Sequence, residues 1–148
     1  MHERDAQSLT VALLGASRAL VDATSAGVRA RGFDDVRPAH GFAFARLAAG
    51  GATITQLAQH LDITRQAAAQ LVEELTAKGY VERRPHPDDN RARLIMLTGK
   101  GWACTRAADA AIADAVRPWV AALGERRLLA LRDDLIRVAP HGPLRPIW

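Results

Sequence analysis

The sequence predicts a mainly α-helical chain with one small β-hairpin, and three observations carry that prediction. Alanine and leucine dominate the 148 residues and aromatics make up only 5%, a composition that favours helix over sheet. Apolar residues recur at helical spacing, as in Leu57, Ala58 and Leu61 and again in Ala68, Leu71, Val72 and Leu75. One segment, Tyr80 to Leu97, departs from that rhythm: two apolar runs flank a polar middle containing Pro85 and Pro87. The length is one domain's worth and can bury a substantial core.

Taken in order, the first helix carries one stripe at Leu9, Leu13, Ala16 and Leu20 and a second at Leu14, Val21 and Val28. A helix apolar on two sides is expected to pack on its own chain and on another. Gly15 and Gly27 would permit close approach, and Arg31-Gly32 ends the helix. Arg37-Pro38 opens the second helix, with Pro38 in the first turn where its missing N–H costs little. Phe44 and Leu47 turn inward, and Gly50-Gly51 stops it.

A third, short helix reads Gln56 to Leu61, and Asp62-Ile63 forms a turn. Asp62 stands where a left-handed residue is needed, a region Asp tolerates better than most. Thr64 is expected to cap a fourth helix running from Arg65 to about Lys78, with Gly79 after it. The hairpin follows, Tyr80 to Arg84 returning as Arg93 to Leu97, with Pro85 to Ala92 as its tip. Thr98 caps a long alanine-rich helix that Pro118 is expected to end or kink. Gly124 resets the chain, and Leu128, Leu131, Leu135 and Val138 form the stripe of a last helix. The proline-broken tail closes on Ile147-Trp148, too apolar to be an indifferent end, so Trp148 is expected to dock on a partner subunit.

Helix, tight turn, helix and basic hairpin, in that order, make a winged helix-turn-helix, a unit that lays one helix in a DNA major groove. With Ala68, Val72 and Leu75 inward, Arg65, Gln66, Ala69, Gln70 and Glu73 must face outward. Arg pairs bidentately with guanine and Gln with adenine, while an Ala methyl packs on a thymine methyl. The tip carries Asp88, Asp89, Asn90 and Arg91, flanked by Arg83, Arg84 and Arg93. An Arg on a narrow loop reaches into a minor groove, and Asp89 is placed to pre-orient it. The solvated alternative for this loop is simple pairing of its opposite charges.

These residues carry a family resemblance. Leu57-Ala58, Leu61, Ile63-Thr64, Leu71-Val72, Leu75, Lys78-Gly79-Tyr80-Val81-Glu82-Arg83, Asp89-Asn90-Arg91 and Leu97-Thr98 with Gly101 resemble the MarR family of bacterial transcription regulators. The similarity is closest from Ile54 to Gly101. It implies a single domain over 1–148, with a DNA-binding lobe at 37–101 and dimerisation helices at 1–36 and 102–148. By the resemblance Arg91 is the wing residue that enters the minor groove and Asp89 steadies it. The contacts of the recognition helix and its cap fall on Thr64, Arg65, Gln66, Ala67 and Gln70. Two departures stand out: Ala67-Ala68-Ala69 replaces a Thr- or Ser-rich segment, and Glu74 stands where a basic residue is common.

The resemblance further implies a homodimeric repressor released from a pseudo-palindromic operator by a small aromatic or phenolic ligand. Dimer contacts are expected from Leu9, Leu13, Leu128, Leu131 and Leu135, together with Trp148. Arg18, His40, Phe44 and Trp102 are the ligand-contact candidates, with Phe42 and Arg46 nearby; packing or solvation is the plainer role for each. A sequence-tolerant protein that organises DNA is one alternative, and a redox sensor working through Cys104 is another. Cys104 reads more simply as a small buried packing residue.

Charge and composition agree. The net charge of +4 favours an anionic partner. Thr64 to Lys100 holds seven Lys or Arg against five Asp or Glu, so placement rather than bulk charge must carry binding. No phosphate-cradling glycine loop, nucleophile elbow or His–carboxylate pattern asks for an enzyme. The five histidines are scattered, so neither a metal site nor a cofactor is expected. The charged start lacks a signal peptide's apolar centre, and no run approaches about 20 uninterrupted apolar residues. With Cys104 as its single cysteine, the chain forms no internal disulfide, and the cytoplasm is the expected location, with no membrane partner.

Overall fold

A computed structural model describes residues 2–139, Asn90 by its backbone alone. Six helices and one hairpin run in the order α1 (Glu3–Ala30), α2 (Pro38–Ala48), α3 (Ile54–Leu61), α4 (Arg65–Ala77), β1 (Val81–His86), β2 (Asp89–Leu97), α5 (Gly99–Leu123) and α6 (Glu125–Val138). The architecture is the mainly helical one expected, with a two-stranded antiparallel wing. The expected docking of Trp148 lies outside the described residues.

The chain divides into two compact units. One joins the residues up to Asp34 with Ala108–Val138; the other is Asp35–Ala107. In the first, Gly27 of α1 lies against Ala111 of α5, whose Cβ would stand 2.7 Å from any Cβ at Gly27. Arg31 reaches Asp114 at 2.6 Å across the same pair of helices. Gly15 has nothing near it, so of the two glycines only Gly27 serves a close approach within the described chain. α6 buries none of its residues.

Pro118 does not end α5: the helix continues to Leu123, and Gly124, at φ +81°, makes the actual break. A proline removes one N–H and crowds the carbonyl four residues back, which a long helix absorbs when the flanking turns hold. Although Arg18 and Asp22 interrupt α1, by length and apolar composition it alone among the described helices could span a bilayer.

The second unit holds the well-packed core. Ala43, Phe44 and Leu47 of α2, Leu57, Ala58 and Leu61 of α3, and Ala68, Val72 and Leu75 of α4 close over Tyr80, Val81, Ile95 and Leu97. Thr53 caps α3 by accepting from the Gln56 amide, while Gln56 accepts from the Thr53 amide at 2.9 Å, a reciprocal box absent from the sequence reading. Ala52 adds a short antiparallel bridge to Ile95, so the wing is tied to the α2–α3 connection on its inner strand.

Candidate nucleic-acid interface

The helix-turn-helix is fixed by its turn. Asp62 is the single non-glycine residue at positive φ among the described residues, at φ 51° and ψ 48°, as the sequence required. Thr64 then accepts from the Ala67 amide at 3.1 Å and starts α4. Burial of Ala68, Val72 and Leu75 leaves Arg65, Gln66, Gln70 and Glu73 exposed along one face of α4, with Ala67 and Ala69 half-buried between them. That face offers the bidentate donors and acceptors that read base edges.

The wing is longer in its strands and tighter at its tip than expected. β1 reaches His86 and β2 starts at Asp89, leaving only Pro87 and Asp88 between them. Pairing runs regularly from Val81↔Leu97 to Pro85↔Arg93 and then jumps to His86↔Asp89. One step on β1 thus matches four on β2, and Asn90, Arg91 and Ala92 bulge off the ladder. Pro85 has no N–H to give the ladder, and bulges form where pairing is so interrupted. The exposed Arg91 is carried on that bulge.

Asp89 does steady this segment, through a different atom from the one expected. Its carboxylate accepts from the backbone amide of Arg91 at 2.9 Å, so it shapes the loop rather than the guanidinium. The other wing arginines differ in state. Arg83 is ion-paired with Glu73 of α4, and Arg84 donates through Nε to Glu82 at 2.7 Å. Arg65 and Arg93 are exposed, with no carboxylate partner among the described residues.

A polar cluster behind α4 was missed by sequence reasoning. Glu74 accepts from Arg37 at 2.6 Å and from Lys78 at 2.7 Å, with His40 Nε2 at 3.4 Å. Lys78 also donates to the Asp35 carbonyl, while the Tyr80 hydroxyl donates to the Asp35 carboxylate at 2.5 Å. Lys78 holds the Glu74 carboxyl below the usual range, and the Tyr80 hydroxyl does the same for Asp35. The departure at Glu74 therefore has a structural use: it fastens α4 to the start of α2. An open cleft of about 260 Å³ lies between them, floored by Leu61, Ile63 and Leu71 and edged by Arg37, Gln70 and Glu74.

The ligand candidates differ in exposure. His40 is fully buried and Phe44 is 2% exposed, its ring 5.5 Å from that of Tyr80, so neither offers surface to a ligand. Burial accounts for both: the start of α2 has to pack on α4 to close the core. Trp102 reverses the plainer expectation of a core role, being 42% exposed. Arg18 is exposed and paired with Asp22 at 3.1 Å, and Arg46 donates to the Gly51 carbonyl. Cys104 is buried, and burial pushes its thiol up to about 11. A thiol kept protonated is a poor nucleophile, which speaks against redox sensing.

A helix-turn-helix with an exposed polar helix and an arginine-bearing wing defines a class of DNA-binding module. The comparisons place it further: residues 35–92 match the model of the MarR family. That match makes the winged helix-turn-helix lobe similar to the MarR family, and solved transcription regulators share the fold over most of the chain. A probable transcriptional regulator from Pseudomonas aeruginosa superposes with TM-score 0.69 at 25% identity, covering 88% of this chain and 96% of its own. The transcriptional repressor CouR, solved on a 23-mer DNA duplex, superposes with TM-score 0.70 at 26% identity over 90% of both chains. MarR from E. coli shares the fold, with TM-score 0.68, 22% identity and coverage of 91% and 96%. No curated relative matches by sequence.

Proposed function

We propose that this chain is a sequence-specific repressor that binds a pseudo-palindromic operator as a homodimer in the cytoplasm. The observation that carries the reading is the joint presentation of Arg65, Gln66 and Gln70 on one face of α4 and of Arg91 on the wing bulge. A two-fold dimer sets two such helices about 34 Å apart, one turn of duplex, so each protomer reads a half-site. Thr64 and Ala67 place the first turn of α4 against the groove, and Arg93 supports the wing from β2.

Dimerisation rests on the stripes that α1 and α6 leave uncovered: Leu9, Leu13, Leu131 and Leu135 are each 38–50% exposed and Leu128 is half-buried. Such stripes on two helices also explain the apolar character of α1 without a bilayer. Release by a small aromatic acid is the effector reading. A ligand acts only by binding more tightly to a spacing of the two lobes that does not fit the operator.

The deciding experiment is to sequence the DNA this protein selects from a random library. An inverted repeat with half-sites one helical turn apart is expected, and the selected duplex then serves to screen small aromatic acids for release. Selection of no consensus, with all duplexes bound within about threefold of each other at fixed salt, would favour the architectural alternative.

A further inference from the structure

The exposed face of α4 that presents Gln66 and Gln70 also presents Glu73, 68% exposed in its side chain. A carboxylate aimed at a polyanion would repel it, yet here it does not stand alone. Arg83 crosses from β1 and closes on the Glu73 carboxylate, linking helix and wing. Glu82 engages Arg84 in the same manner along β1. Five arginines therefore surround the reading face, but two are already neutralised within the protein, and Arg65, Arg91 and Arg93 remain for the duplex.

From this pairing we infer that Glu73 tunes the overall affinity for DNA: it withholds Arg83 from the phosphate backbone and so weakens the sequence-independent part of binding. The inference rests on the DNA-binding reading. Affinity for arbitrary duplex comes almost wholly from cations that displace counterions, each phosphate contact contributing about −0.9 to the slope of log K against log salt. Base-edge contacts from Gln66 and Gln70 do not share that dependence. Sequestering one arginine per protomer lowers binding to every sequence while leaving base readout intact, so affinity for operator and bulk DNA falls together and the preference between them stays with Gln66 and Gln70.

The test uses the full chain, its library-selected duplex and a random-sequence duplex, titrated by fluorescence anisotropy over a salt series. Glu73→Gln should free Arg83. The salt slope should steepen by about 1.8 on both duplexes for a dimer, two contacts at about 0.9 each, while the operator-to-random ratio holds. Glu73→Ala should do the same, which separates the effect from any new contact made by Gln. The double variant Glu73→Gln with Arg83→Gln should restore the wild-type slope. Unchanged slopes in both single variants overturn the inference, whether or not base preference shifts; a shifted preference would make Glu73 a base reader instead. Wild-type chain that binds neither duplex at low salt overturns the DNA-binding reading along with it.

Discussion

Gly101 shows how one missing side-chain atom can fix a junction. Any Cβ there would collide with the carbonyl oxygen of Tyr80 and crowd Leu97. That carbonyl cannot retreat, because it accepts from the Thr98 amide at 3.0 Å, while the Thr98 hydroxyl donates to the Gly79 carbonyl and accepts from the Gly101 amide. The Leu-Thr-x-x-Gly pattern is thereby a packing device joining α5 to the wing. Gly101→Ala should lower stability by about 1–3 kcal/mol in urea denaturation, despite alanine's better helix propensity. His40 acts at the same scale. Its Nδ1 accepts from the Arg37 amide at 3.1 Å, so the neutral ring carries its proton on Nε2, toward Glu74. Burial holds the imidazole below its ordinary value near 6.5, with Glu74 opposing. The unfolded chain takes up this proton first, so the stabilising contribution is complete above about pH 6.5 and is lost as pH falls through the lower folded value. Denaturation between pH 7.5 and 5.5 should show a fall in the wild type that His40→Asn largely abolishes.

Among the elements, the wing is where local chemistry and pairing conflict most usefully. Pro85 breaks the hydrogen-bond ladder, β2 carries three extra residues, and the bulge so made presents Arg91 clear of the strand. Asp89 shapes that bulge through the Arg91 amide rather than through the guanidinium. Arg91→Ala should therefore weaken binding to the selected duplex by tens of fold while leaving the circular dichroism unchanged. A gel-shift titration matching the wild type would remove the wing from DNA recognition. α4 is held more firmly than its caps alone would manage, because Glu74 ties it to Arg37 and Lys78 reaches the Asp35 carbonyl.

For the molecule as a whole, the contrast between the two units matters most. Asp35–Ala107 closes its own core, whereas α1 and α6 leave leucines on the surface that a second copy would cover. Leu131→Glu with Leu135→Glu should convert a sedimenting dimer to a monomer and cut affinity for a full operator far more than for a half-site. The lobe should stay folded, since neither leucine belongs to its core. Wild-type protein sedimenting as a single chain at working concentration would remove the paired-helix geometry from the proposal.

The sequence alone determined the elements whose causes are local. The left-handed Asp62, the Thr64 cap, Pro38 in a first turn and the inward triad Ala68, Val72 and Leu75 depend on near neighbours and on periodicity, so they can be read along the chain. It also exposed the outward face of α4, since burying one face of a helix determines the other. What only the tertiary structure decided depends on groups far apart in sequence. The convergence of Arg37, His40 and Lys78 on Glu74, the pairing of Arg83 with Glu73, the burial of His40 and exposure of Trp102, and the bulge opposite Pro85 arise from long-range packing. A one-dimensional pattern records which side chains can pair or hide, but which of them meet is set by how the helices and strands close on each other.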